Sequence, residues 1–247
     1  MVRMFRRLHR FLYLAAVLVF FLLFYPLLAV YAKNPERHYH RIIRCRRIIG
    51  FLSSTFAGIW YRFRFETPVD WSRAYIICPN HTSNLDITAM VLLCPADFSF
   101  MGKMELLNNP VTGMFFRTVD IPVNRQSKIS AFKAFKRAHE YLLLGRGMVI
   151  FPEGLIGEEF PPRLYEFKNG PFRLAIETKT PILPVVIVDA WKLYWDEGKQ
   201  YGSRPGIVDV EVLAPIETDG LEPADADRLR DEVRNRIKKR WNAVGGV

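Results

Sequence analysis

An unbroken apolar run extends from Phe11 to Ala32, 22 positions with no charge and a single proline, Pro26. A helix of that length reaches across a hydrocarbon core of about 30 Å. The next segment has a different rhythm. Ile42, Cys45, Ile49, Leu52, Phe56, Ile59 and Phe63 recur at steps of three and four, the spacing of one helical face, with Arg41, Arg44 and Arg47 on another side. This pattern predicts an apolar helix followed by an amphipathic one, together filling residues 1–64.

From about Phe65 the rhythm shortens. Tyr75–Cys78, Phe98–Met101, Val119–Val123, Met148–Phe151, Ile182–Val188 and Ile207–Leu213 read as strands. Several are almost wholly apolar, the mark of strands covered on both faces. Leu85–Leu93 and Ser127–Leu144 read as helices, the second stopping before Gly145. Pro171 and Pro223 each suit the first position of a further helix. The alternation predicts an α/β domain over 65–247, with a central, mostly buried mixed β-sheet flanked by helices and preceded by a two-helix membrane-associating segment.

Charge sharpens the N-terminal reading. Residues 1–64 carry 12 Lys and Arg against one acid, Glu36, whereas 65–247 carry 23 against 24. The whole positive excess thus flanks the most apolar stretch instead of lying on the folded body. That excludes a nucleic-acid-binding domain and points to anionic membrane lipids. Arg3, Arg6, Arg7 and Arg10 stand on one side of the apolar run, and Lys33, Arg37, Arg41, Arg44, Arg46 and Arg47 on the other. With both flanks basic, the arm reads as a hairpin dipping into one leaflet with both ends cytoplasmic, Pro26 helping to bend it. A plain span and a cleaved signal peptide ending at Val30-Tyr31-Ala32 are the competing readings, the latter opposed by an apolar run longer than usual. The chain is expected at the cytoplasmic face of the cell membrane. Its three cysteines, Cys45, Cys78 and Cys94, are too few and scattered for a disulfide framework.

The strand Tyr75–Cys78 runs into Pro79-Asn80-His81, and Ser83 with Asp86 three residues on has the pattern of a helix N-terminus. His81 and Asp86 are five apart, about 140° around a helix, so they meet only if His81 lies in the turn before it. Two readings fit: an imidazole oriented by a carboxylate, or a turn histidine beside a carboxylate that only caps the helix. No Gly-x-Ser-x-Gly elbow is present, and Cys78 ends an apolar strand, so the pair would act on a hydroxyl of the substrate. Backbone N–H groups of the turn are then expected to hold the oxyanion. In Phe151-Pro152-Glu153-Gly154, a glutamate leaving a strand end suits polyol hydroxyls. Arg125 and Lys103, each just after a strand, suit a phosphate.

Asn80-His81-x-Ser83-Asn84-x-Asp86 resembles the first motif of the glycerolipid acyltransferase family. Ile121-Pro122-Val123-Asn124-Arg125 resembles the second, Phe151-Pro152-Glu153-Gly154 the third and Thr180-Pro181-Ile182-Leu183-Pro184-Val185 the fourth, in the family's order over roughly residues 75–190. The resemblance, strongest to bacterial members, implies acyl transfer from an acyl carrier protein or coenzyme A thioester to lysophosphatidic acid, giving phosphatidic acid. It implies catalysis by His81 and Asp86, substrate binding by Asn80, Ser83, Lys103, Arg125, Glu153 and Gly154, and no metal or bound cofactor. One departure stands out: Leu155-Ile156-Gly157 replaces the family's Thr-Arg-Ser, whose arginine is credited with phosphate contact. By the resemblance Arg125 and Lys103, with Arg163 or Lys168 from the following loop, would take over. Another lysophospholipid, glycerol phosphate or a lipid A precursor is the closer alternative acceptor, and a non-catalytic membrane-binding protein the remoter alternative.

Overall fold

The computed structural model describes residues 2–124, 126–195 and 201–245. The chain opens with two helices, α1 (Val2–Tyr31) and α2 (Tyr39–Phe56), followed by strands β1 (Ile59–Phe65) and β2 (Ile76–Pro79). Helix α3 (Leu85–Leu93), β3 (Phe98–Lys103), α4 (Thr112–Phe116) and β4 (Ile121–Val123) come next. They lead to α5 (Lys128–Leu143), β5 (Gly147–Val149), α6 (Gly170–Thr178) and β6 (Ile182–Ile187). The short α7 (Ala190–Leu193) and a ribbon of β7 (Tyr194–Trp195) with β8 (Gly202–Ser203) precede β9 (Gly206–Val212) and the closing helix α8 (Ala226–Ala243).

Seven strands form one sheet in the order β1-β9-β6-β2-β5-β3-β4. Five of them (β6, β2, β5, β3 and β4) run the same way, while β9 meets β6 antiparallel and β1 runs beside β9. Strands β2 and β6 are buried at every position. That requires cover on both faces, supplied by α2 and α3 in one layer and by α5, α6 and α8 in another. The mixed sheet flanked by helices is the architecture the sequence predicts. The carboxyl ends of the five aligned strands share one edge, where sites in such folds collect.

Local chemistry sets the helix boundaries. Ser127 caps α5 by accepting the Ser130 N–H at 3.2 Å, and Gly145 just beyond takes a φ of +75°. Helix α2 does not reach Phe63 as its stripe suggests. It ends at Phe56, Gly58 follows at a φ of +65°, and Ile59 and Phe63 belong to strand β1. The period-two alternation of Ile59, Tyr61 and Phe63 with Trp60, Arg62 and Arg64 prevails over the helical spacing, because β9 offers β1 a complete ladder.

The two N-terminal helices lie on the domain. In α2, Ile42, Ile43, Cys45 and Ile49 are buried, and Arg46 turns inward, its Nη1 donating to both oxygens of buried Asp120 at 2.8 and 3.0 Å. Arg47 likewise donates to the Cys94 carbonyl. These two cations serve the fold; Lys33, Arg37, Arg41 and Arg44 stay exposed. Helix α1 is continuous through Pro26. Its buried positions, Tyr13, Ala16, Phe21 and Leu28, face α2 and the domain, with Phe21 against Phe115 of α4 and Phe20 against Phe56. On the opposite side Phe11, Leu14, Leu18, Leu22 and Leu23 are exposed, at 70%, 43%, 42%, 56% and 68%.

Candidate active site

Strand register fixes the site. Ile77 of β2 lies beside Val149 of β5, so His81 and Glu153, each four residues further on, emerge level with one another. The same strand pairs Pro79 with Val185 of β6, so Asn80 and His81 come out beside Ile187. Fully buried Asn80 uses both ends of its amide on that residue, donating to the Ile187 carbonyl at 3.0 Å and accepting its N–H at 2.7 Å. The turn is thereby pinned to β6. Pro79 and this clamp keep the chain extended until His81, and α3 starts only at Leu85.

His81 folds back over the first turn of α3, and its Nδ1 sits 3.0 Å from Asp86 Oδ2. The same oxygen accepts the Thr82 N–H at 2.6 Å and the Ser83 N–H at 2.8 Å. Asp86 is fully buried, while the His81 side chain keeps 13% exposure. With Nδ1–H donated to the carboxylate, Nε2 is the ring nitrogen that can take a proton. The ring of Phe151 stacks on the imidazole with centroids 3.9 Å apart. Ser83 donates to the Tyr194 carbonyl at 2.8 Å and accepts the Leu85 N–H at 3.2 Å, so it brackets the start of α3.

Glu153 is not the open carboxylate expected to meet polyol hydroxyls. It is 1% exposed, and its two oxygens accept the His81 N–H and the Tyr165 N–H, each at 2.7 Å. Burial pushes its carboxyl well above the usual range, opposed by the His81 N–H. The glutamate therefore ties the His81 turn to the loop that follows β5. Gly154 closes that turn with its N–H on the Phe151 carbonyl at 3.1 Å and a φ of +77°. Replacing Glu153 by Gln leaves one oxygen and puts an NH₂ against a backbone N–H. The variant is expected to lose about 1–3 kcal/mol of stability, read from denaturant melts beside the parent.

Other expectations change in the same way. The N–H groups of His81, Thr82, Ser83 and Leu85 all have acceptors within the protein. Asn80 and Ser83, expected from the sequence to meet substrate, bond backbone groups with their side chains. Cys78 is fully buried and burial drives its thiol far up, which removes the nearest protein nucleophile. Lys103 is exposed at the carboxyl end of β3, on the dyad's edge of the sheet. Two strand spacings separate β3 from β2, about 10 Å. Arg125 lies outside the described residues. Arg163 is exposed and paired with Glu159 at 2.8 Å. In the altered third motif, Gly157 packs against the Tyr165 ring, where any side chain would collide.

A family model described as "Acyltransferase" matches residues 61–188. The chain is 28% identical over 214 residues to 1-acyl-sn-glycerol-3-phosphate acyltransferase alpha of Mus musculus, covering 86% of this chain and 72% of that protein. It is 31% identical over 208 residues to the beta enzyme of Homo sapiens, covering 82% and 73%. The fold is also similar to the crystal structure of the 1-acyl-sn-glycerophosphate (LPA) acyltransferase PlsC from Thermotoga maritima. That likeness has a TM-score of 0.68 at 22% identity, over 92% of this chain and 95% of that one.

Proposed function

The chain belongs to the acyltransferase family, and from that premise we propose that it transfers an acyl chain from a thioester to the 2-hydroxyl of 1-acyl-sn-glycerol 3-phosphate, forming phosphatidic acid. The observation that carries the mechanism is His81 Nδ1 held 3.0 Å from the buried Asp86 carboxylate, which leaves Nε2 toward the substrate. His81 Nε2 takes the hydroxyl proton, and the oxygen attacks the thioester carbonyl. As the tetrahedral intermediate collapses, the C–S bond breaks and the departing thiolate receives that proton back from the imidazolium. Asp86 stabilises the imidazolium in between.

Lys103 and Arg125 are the cations we assign to the acceptor phosphate. An acyl carrier protein or coenzyme A supplies the donor thioester. A different acceptor head group is the second reading, and the observation favouring it is Leu155-Ile156-Gly157 in place of Thr-Arg-Ser. Because the nucleophile comes from the substrate, protein incubated with a labelled acyl thioester alone and then denatured is expected to carry no covalent label. Stoichiometric label on a cysteine or serine would overturn the mechanism.

The arm supports membrane attachment from the cytoplasmic face. A helix held along the domain from Tyr13 to Leu28 over about 22 Å has one side left for lipid, which suits lying in one leaflet better than crossing both. Exposed Arg3, Arg6 and Arg7 near one end, with Lys33, Arg37, Arg41 and Arg44 near the other, meet anionic head groups. The division into a membrane-facing part, 1–64, and a catalytic part, 65–247, is one of role, since α2 lies in the core and β1 in the sheet.

A further inference from the structure

Two polar side chains on the apolar arm are turned inward, and both reach the elements that hold the dyad. His9 and Tyr13 are four apart, so they lie one above the other on α1. His9 Nδ1 is 2.6 Å from Ser203 Oγ on β8, and its Nε2 is 2.8 Å from the Ala57 carbonyl. Tyr13 is 5% exposed, and its hydroxyl is 3.0 Å from Thr88 Oγ1, two residues past Asp86 on α3. The Tyr13 ring also packs edge-on against Tyr194, centroids 5.5 Å apart. Tyr194 is the cross-strand partner of Ser203, and its carbonyl accepts the Ser83 hydroxyl at 2.8 Å. One turn of the arm therefore grips α3 directly and the Ser83 end of the catalytic turn through the β7–β8 ribbon.

We propose that Tyr13 is a positioning residue of the acyl-transfer reaction, through which the membrane arm sets the geometry of the His81–Asp86 turn. The inference rests on the dyad reading above. An arm that served only as an anchor would need no buried hydroxyl aimed at the catalytic helix. Apolar packing of the kind seen at Phe21 and Leu28 would hold it as well. A reacting geometry displaced by about 1 Å costs on the order of a hundredfold in rate, so loss of one such restraint is expected to register in kcat.

The test uses the full chain on vesicles of zwitterionic and anionic phospholipid containing lysophosphatidic acid, with an acyl thioester donor. Tyr13→Phe is expected to lower kcat about tenfold, with KM for lysophosphatidic acid, vesicle binding and thermal midpoint near those of the parent. Thr88→Val should lower kcat alike, the double variant should lose no more than either single one, and Thr88→Ser should restore parent turnover. Full kcat in Tyr13→Phe would overturn the proposal. So would a loss explained wholly by weaker vesicle binding or unfolding, or additive losses in the double variant. His81→Ala run beside them separates the two claims: if it keeps parent turnover, the dyad reading itself fails.

Discussion

Replacing His81 by alanine is expected to reduce kcat by about 10²–10⁴, the range of a positioned general base, while leaving the fold intact. The side chain is partly exposed, and the His81 backbone N–H, not the ring, holds Glu153. Asp86→Asn is the more discriminating partner. All three contacts of Asp86 converge on Oδ2, and Oδ1 is buried with no hydrogen-bond partner among the described residues. An asparagine can thus keep its oxygen toward His81, Thr82 and Ser83, with its NH₂ in the place of Oδ1. What it loses is the negative charge that stabilises the imidazolium. Asp86→Asn is accordingly expected to fall nearly as far in kcat as His81→Ala, with KM for lysophosphatidic acid little changed. Steady-state kinetics alongside circular dichroism checks both.

The second large effect concerns the exposed side of α1. Leu18 and Leu22 are exposed, at 42% and 56%, on the side of α1 away from its buried positions. Leu18→Glu with Leu22→Glu is expected to leave the fold unaltered. Each leucine taken out of an apolar surrounding forfeits about 1.5–3 kcal/mol, and the added carboxylates are repelled by anionic head groups. Together these predict a loss of vesicle binding of more than about a hundredfold. Turnover of a long-chain acceptor embedded in vesicles should fall in step, whereas a short-chain, water-soluble acceptor should be acylated at near the parent rate. Flotation with vesicles and the two assays distinguish an anchoring defect from a catalytic one. Truncating the arm would not, because the buried side of α2 and the Arg46–Asp120 pair belong to the core.

Much of this was legible along the chain, because local rules coincide with the fold there. The helix at Leu85 follows Ser83, which accepts its first N–H, that at Lys128 its Ser127 cap and that at Gly170 its proline, and the apolar strands follow from burial on both faces. The His81–Asp86 contact was legible too, since His81 can meet Asp86 only from outside the helix. Strand β1 was not, because Phe56, Ile59 and Phe63 satisfy the helical period while Gly58 breaks it. The contacts of Asn80, Ser83 and Glu153 were hidden for a different reason. Their side chains are the right chemistry for substrate, but their partners are backbone groups on β6, β7 and the loop after β5, which only the tertiary register brings near. Arg46 likewise reads as one more lipid-facing cation until Asp120, 74 residues away, appears beside it. His9 and Tyr13 left a faint trace, a pair of polar residues one turn apart at the start of an apolar run.

The most direct test of acyl transfer by the His81–Asp86 pair is a mass-spectrometric product assay. Purified full-length protein on vesicles would be given lysophosphatidic acid with either an acyl carrier protein thioester or a coenzyme A thioester. Parent protein should produce phosphatidic acid bearing the donor's acyl chain, and Asp86→Asn at equal vesicle loading should produce it at least a hundredfold more slowly. No phosphatidic acid from the parent with either donor, or equal rates from parent and variant, would contradict the account.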